Sequence, residues 1–194
     1  IQKVENWLKE WRYKMTQTSN IHYIVHPLWY LDNYREETIQ LVDRLLELGR
    51  REGTKEGLLF ILSMNDLAEY FDTHPRDWSE ERLRREQEEV IKLHNAYSRE
   101  LEQELSKSCR DLFVGKPIVS QRINKRTWQD YFSEDFSSFL EERKLYLTNP
   151  LQITGHGASR DACVTYASEY LAKYIRNINR IRVNVVIPEE TTLE

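Results

Sequence analysis

Residues 153–164 read ITGHGASRDACV. Gly155 and Gly157 allow the backbone to turn sharply after a strand-like run, and Asp161-Ala162-Cys163-Val164 begins the segment beyond the turn. A thiol there stands near unpaired backbone N–H groups and the positive end of a helix, which lower its pKa and can hold an oxyanion. That is the chemistry of a cysteine nucleophile. A buried structural cysteine fits the same position, because free cysteine is among the most buried residue types.

A second stretch, SQRINKRTWQDYFSEDFSSFLEERK (120–144), sets Lys125 after a strand-like segment and before Trp128, Tyr131 and Phe132. A lysine at a strand exit beside a thiol stabilises the thiolate and orients an acid or base. An ordinary surface lysine between Arg122 and Arg126 is the plain alternative. Among the histidines, His22 and His26 are four apart and share a face if they lie in a strand, while His74 and His156 fall near strand ends. A lone histidine is more often a hydrogen-bonded core or loop residue than a ligand, so neither a metal nor another cofactor is expected.

The elements that must position these residues follow from periodicity. Val4, Leu8, Trp11 and Met15 form one stripe of an amphipathic helix, so residues 1–18 are expected as an N-terminal helical appendage closed by TQTSN. Residues 21–26 read as a strand that Pro27 ends. Ile39, Val42, Leu45, Leu46 and Gly49 keep helical phase up to Gly53, and GLLFILSM reads as a buried parallel strand. A long charged helix is expected over 79–108, opened by the capping-box spacing of Asp77 and Glu80. Its narrow seam (Leu83, Val90, Ile91, Tyr97, Leu101, Leu105) suggests a solvated arm or partner-facing surface. A short strand within 112–124, a helix through EDFSSFLEERKLY, the strand LQITGHG, a helix near 159–176 and the strand IRVNVVIP complete the chain. The tail EETTLE is expected to be frayed or docked on a partner. Strands alternating with helices imply one α/β domain over 1–194, with α/β/α layers around a mainly parallel sheet.

Taken together, Lys125, the aromatic pair Tyr131-Phe132, a following helix and strand, and then Gly157-x-x-x-Asp161-Ala162-Cys163-Val164 resemble the isochorismatase-like cysteine hydrolases. The resemblance covers about residues 119–188. That family includes nicotinamidases, N-carbamoyl-amide hydrolases and isochorismatases, and the resemblance implies its fold and frequent pairing of subunits. It implies Cys163 as nucleophile, Lys125 as catalytic lysine, and a cis peptide at Ala158-Ser159 supporting the oxyanion hole. Where the family's first strand ends in an aspartate, this chain has His26, with Asp32 six residues later. Either can manage the thiol proton, or the triad is broken. Arg160 replaces the family's usual threonine, where it grips a substrate carboxylate or blocks the site. The Asp-x-His of nicotinamidase-type metal sites is replaced by Ser63-Met64-Asn65-Asp66.

Two functions therefore remain open: hydrolysis of a small amide or related C–N bond through a covalent acyl intermediate, or a catalytically silent relative acting as an assembly subunit. The expected partners are a small-molecule substrate and further copies of the chain. With 28 basic and 32 acidic residues the net charge is −4, which gives no general reason to expect nucleic acid, although Arg176, Arg180 and Arg182 form a local basic patch. No apolar run approaches the roughly 20 residues that span a bilayer, and the first residues are too polar for a signal peptide. Cys109 and Cys163 make no disulfide framework. A cytoplasmic setting is expected.

Overall fold

The computed structural model describes residues 15–31, 34–64, 79–115 and 125–193, with backbone only at 80, 82, 83, 125–131 and 133. In chain order the elements are β1 (Thr16–Val25), α1 (Arg35–Glu52), β2 (Leu58–Ser63), α2 (Glu80–Ser108), β3 (Leu112–Val114), α3 (Lys125–Glu142) and β4 (Leu145–Ala158). A π-helical turn (Arg160–Val164) leads into α4 (Thr165–Asn179), followed by β5 (Val183–Val186), a 3-10 turn (Glu189–Thr191) and β6 (Thr192–Leu193). The sheet runs β3-β2-β1-β4-β5, with β6 pairing to β4, and the pairings are parallel.

Strand alternation sorts the core into two layers. Ile21, Tyr23 and Val25 of β1 join Ile153 of β4 and pack against Phe132 and Phe136 of α3 and Ala167, Leu171 and Ile175 of α4. Ile24 faces the other way, with Phe60 and Leu62 of β2, onto Leu41 and Leu45 of α1 and Leu101 and Leu105 of α2. The molecule is thus the three-layer α/β/α arrangement expected from the order of its elements.

Three expectations need correction. Thr16–Thr18 do not end a helix: they are the start of β1 and pair with Leu145–Leu147 of β4. The two threonines are β-branched and alternate, and Thr18 is buried, so strand pairing takes these residues. Residues 1–14 lie outside the described residues. The long helix is also more than an arm. It carries buried Val90, His94, Leu101 and Leu105, with half-buried Tyr97 between His94 and Leu101, at spacings of three and four. Counted as polar in the sequence, His94 breaks that stripe on paper only. Gly49 of α1 lets α2 lie close, since a Cβ there would stand 2.6 Å from Leu105 Cδ2. Asp77 lies outside the described residues. Finally, the tail is neither frayed nor reserved for a partner, because β6 adds to the chain's own sheet beside Gly157 and Ala158.

Candidate active site

The carboxyl end of β4 is shaped by close backbone approach. Gly157 has φ of +118°, and a Cβ on it would lie 1.9 Å from the Val25 carbonyl oxygen, so only glycine fits. A Cβ on Gly155 would lie 2.5 Å from Ser168 Oγ and 2.9 Å from Val164 Cγ1, which is how α4 comes down onto the strand. The next peptide, Ala158–Ser159, is cis. The Ser159 carbonyl then accepts N–H bonds from Ala162 (3.3 Å) and Val164 (3.0 Å), the two residues flanking Cys163. Thr165 Oγ1 donates to the Arg160 carbonyl at 2.7 Å and closes the widened turn. Such π-turns recur at functional sites. Cys163 therefore sits in the first turn of a helix beyond the end of a central strand, 8% exposed, against the apolar layer that holds Val25 and Val164.

His26 reaches the same edge from β1. Val25 pairs with Gly157, so His26 and Ala158 leave the sheet side by side. The His26 N–H donates to the Ser63 carbonyl at 2.9 Å, extending the pairing by one residue. A φ of +44° then turns the chain out of the strand, and the ring, fully buried, stacks with Trp29 at 6.0 Å between centroids. His26, Ala158, Ser159, Arg160 and Cys163 are thus gathered at the β1/β4 edge, where parallel α/β sheets bind ligands. Lys125 is the first residue of α3, and residues 116–124 before it lie outside the described residues. Its side chain, Asp32 and His74 lie outside the described residues.

The chain's own tail completes the edge. Gly157 pairs with Thr192 and Ala158 with Leu193, and Thr192 Oγ1 donates to the Pro188 carbonyl at 2.8 Å. Arg160, 21% exposed, has its guanidinium 3.6 Å from Asp161 and 3.7 Å from Glu189. Sequence reasoning missed Glu189 and Thr192. The available signal was the β-branched pair Thr191-Thr192 shortly after Pro188.

Two further groups define the electrostatics. His22 Nδ1 and His156 Nε2 share a hydrogen bond of 2.9 Å, and His156 Nδ1 and Thr191 Oγ1 share one of 2.6 Å. Burial pulls His22 down to about 4 and His156 to about 3, with His22 adding to the second. These histidines occupy one another, and no group of three or more metal-binding side chains occurs among the described residues. Burial instead pushes the Cys109 thiol up to about 12, which makes it inert. A cavity of about 680 Å³ opens far from this chemistry, at the amino end of β4 between α3 and α4 (Leu145, Phe136, Ile178). Its position at the wrong end of the strands separates it from Cys163.

Among the described residues no helix is long and apolar enough to cross a membrane. Comparison with protein-family models, curated proteins and solved structures returns no match to this chain.

Proposed function

We propose that the protein hydrolyses a small amide or related C–N bond through Cys163. The observation that carries this reading is the placement of Cys163 in the first turn after β4, next to the strand end that bears His26. In this reading His26 takes the thiol proton and the thiolate attacks the carbonyl carbon. The oxyanion forms at the N-terminal end of the helix that begins beyond β4, whose positive field stabilises it. The C–N bond then breaks, the amine leaves with the proton from His26, and the acyl group remains on sulfur as a thioester. Water, deprotonated by the same base, releases the acid and restores the thiol. By the family resemblance Lys125 is the catalytic lysine, and Asp32 is the alternative to His26 for handling the proton. Arg160, already shared between Asp161 and Glu189, grips a substrate carboxylate or blocks the site. A reducing cytoplasm, which keeps the thiol free, and a homo-oligomeric assembly belong to the same reading.

A second reading is favoured by the burial of Cys163, 8% exposed: a silent relative that serves as an assembly subunit. One experiment separates them. Native protein is treated with iodoacetamide at neutral pH and weighed intact, with ammonia release from primary amides and N-carbamoyl amines measured in parallel. Hydrolysis predicts one fast adduct, absent in Cys163→Ser, and ammonia release that disappears with the same substitution. Cys109, held near 12, serves as the slow internal standard. Equal, slow alkylation of both thiols until denaturant is added rejects the hydrolase and leaves the assembly subunit.

A further inference from the structure

A cleft of about 440 Å³ lies on the α1 side of the sheet, walled by β1, β4, α1 and the tail. We propose that it binds a small monocarboxylate, anchored by Arg44 and read by the His22–His156 pair. The inference is independent of chemistry at Cys163.

The first argument is composition. Central strands of a parallel sheet are normally apolar on both faces. Here β1 and β4 are apolar toward α3 and α4, yet toward α1 they present Asn20 and His22 beside Gln152, Thr154 and His156, in one register. His22, Thr154 and His156 are buried. These groups meet one another's hydrogen bonds, His22 with His156 at 2.9 Å and Thr154 with Gln152 at 3.1 Å, so the strip is a polar wall facing the cleft where an apolar surface is usual.

The second argument is Arg44. It projects from α1 into the cleft, its Nε is buried, and Nε has no hydrogen-bond partner among the described residues. No carboxylate lies within 4 Å of its guanidinium among them either, although Arg51, one helical stripe further on, is engaged by Glu52 at 2.9 Å. A buried guanidinium N–H left without an acceptor is costly. A carboxylate meets it with two parallel bonds, one to Nε and one to a terminal nitrogen.

The third argument is the imidazole chain. With Nδ1 of His22 committed to His156, Nε2 is the ring nitrogen left for the cleft. If His22 Nδ1 donates, then His156 Nδ1 donates to Thr191, and His22 Nε2 is an acceptor. If His156 Nε2 donates, Thr191 donates to His156, and His22 Nε2 carries the proton. Moving protons along the chain switches the wall between donor and acceptor with no side-chain movement. Burial keeps both rings neutral at neutral pH, so the unpaired positive charge in the cleft is that of Arg44. Exposed Glu47 and Glu190 line the rim. The lining sets Arg44 and Arg51, the latter also held by Glu52, against Glu47 and Glu190, a balance that gives a dianion no advantage over a monoanion.

The test is an acetate titration of the ¹⁵N-labelled 194-residue chain by NMR at neutral pH and constant ionic strength. Acetate is expected to move the Arg44 Nε–H resonance saturably in the millimolar range and to shift the His22 and His156 ring nitrogens together. Arg44→Gln removes both responses, Arg44→Lys weakens binding several-fold, and inorganic phosphate binds no more tightly than acetate. A non-saturating response, the same response in Arg44→Gln, or phosphate binding more tightly than acetate overturns the proposal. Should Arg44→Gln fail to fold, judged by its circular dichroism, unweakened binding in Arg44→Lys overturns it instead.

Discussion

The two faces of the sheet are built to different rules. Toward α3 and α4 the strands present a continuous apolar layer, with Phe132, Phe136 and Phe113 in mutual ring contact. Toward α1 and α2 an apolar layer covers β2 and Ile24 of β1, beside which Asn20 and His22 of β1 are polar. There it gives way over β4 and β5 to Thr154, His156, exposed Asn184 and exposed Val186. The same strands therefore carry a packed face and a half-open polar one. The difference teaches where to look for function. Apolar burial explains the first face completely, while the second retains buried polar groups that packing does not require.

The largest expected effect strikes both faces at once. Gly157→Ala puts a Cβ 1.9 Å from the Val25 carbonyl, backbone against backbone in the central β1/β4 pair, at a φ that L-residues avoid. Neither strand can yield, and the variant is expected to lose cooperative urea unfolding altogether. On the packed face, Phe136→Ala, fully buried in its cluster, should cost about 3–5 kcal/mol in the same measurement.

The other face should answer to pH. Burial lowers His94 from 6.5 to about 4, and His22 shifts similarly. The unfolded chain therefore binds more protons between those values, so stability is complete above pH 6.5 and is lost as pH falls toward 4. For His94 alone the loss across that window is about 3 kcal/mol. Urea midpoints measured from pH 7 to 4 should fall steeply in the parent and less steeply in His94→Leu. An identical slope in the two would remove the buried histidines as a distinguishing feature of this face. Smallest of all, Thr154→Val in the polar strip should change stability by less than about 1 kcal/mol, because it breaks hydrogen bonds of 3.1 Å with Gln152 and 3.3 Å with Asn20 but opens no cavity. A cost comparable to that of Phe136→Ala would mean that the strip is structural after all.

Much of the candidate site was legible because it is local. Gly157, Ala158, Ser159, Arg160 and Cys163 lie within seven residues, so the turn that groups them is written in adjacent positions. The N-terminal strand start was hidden because an apolar stripe ending at Met15 made Thr16–Thr18 look like a helix terminus, whereas their partners, Leu145–Leu147, are far along the chain. His94 was hidden for a different reason. A histidine in a charged helix reads as solvent-facing until the opposing helix shows that the ring is 5% exposed.

The sequence by itself determined the alternation of strands and helices, the parallel α/β class and the cysteine-bearing turn, all properties of short-range periodicity and backbone permission. Only the tertiary structure decided that the tail joins the sheet beside Ala158, that His22 meets His156 across β1 and β4, and that Arg44 overlooks them with its Nε unpartnered among the described residues. Those are contacts between residues as far as 134 positions apart. Strand register sets them, and no local pattern encodes which residues register brings face to face.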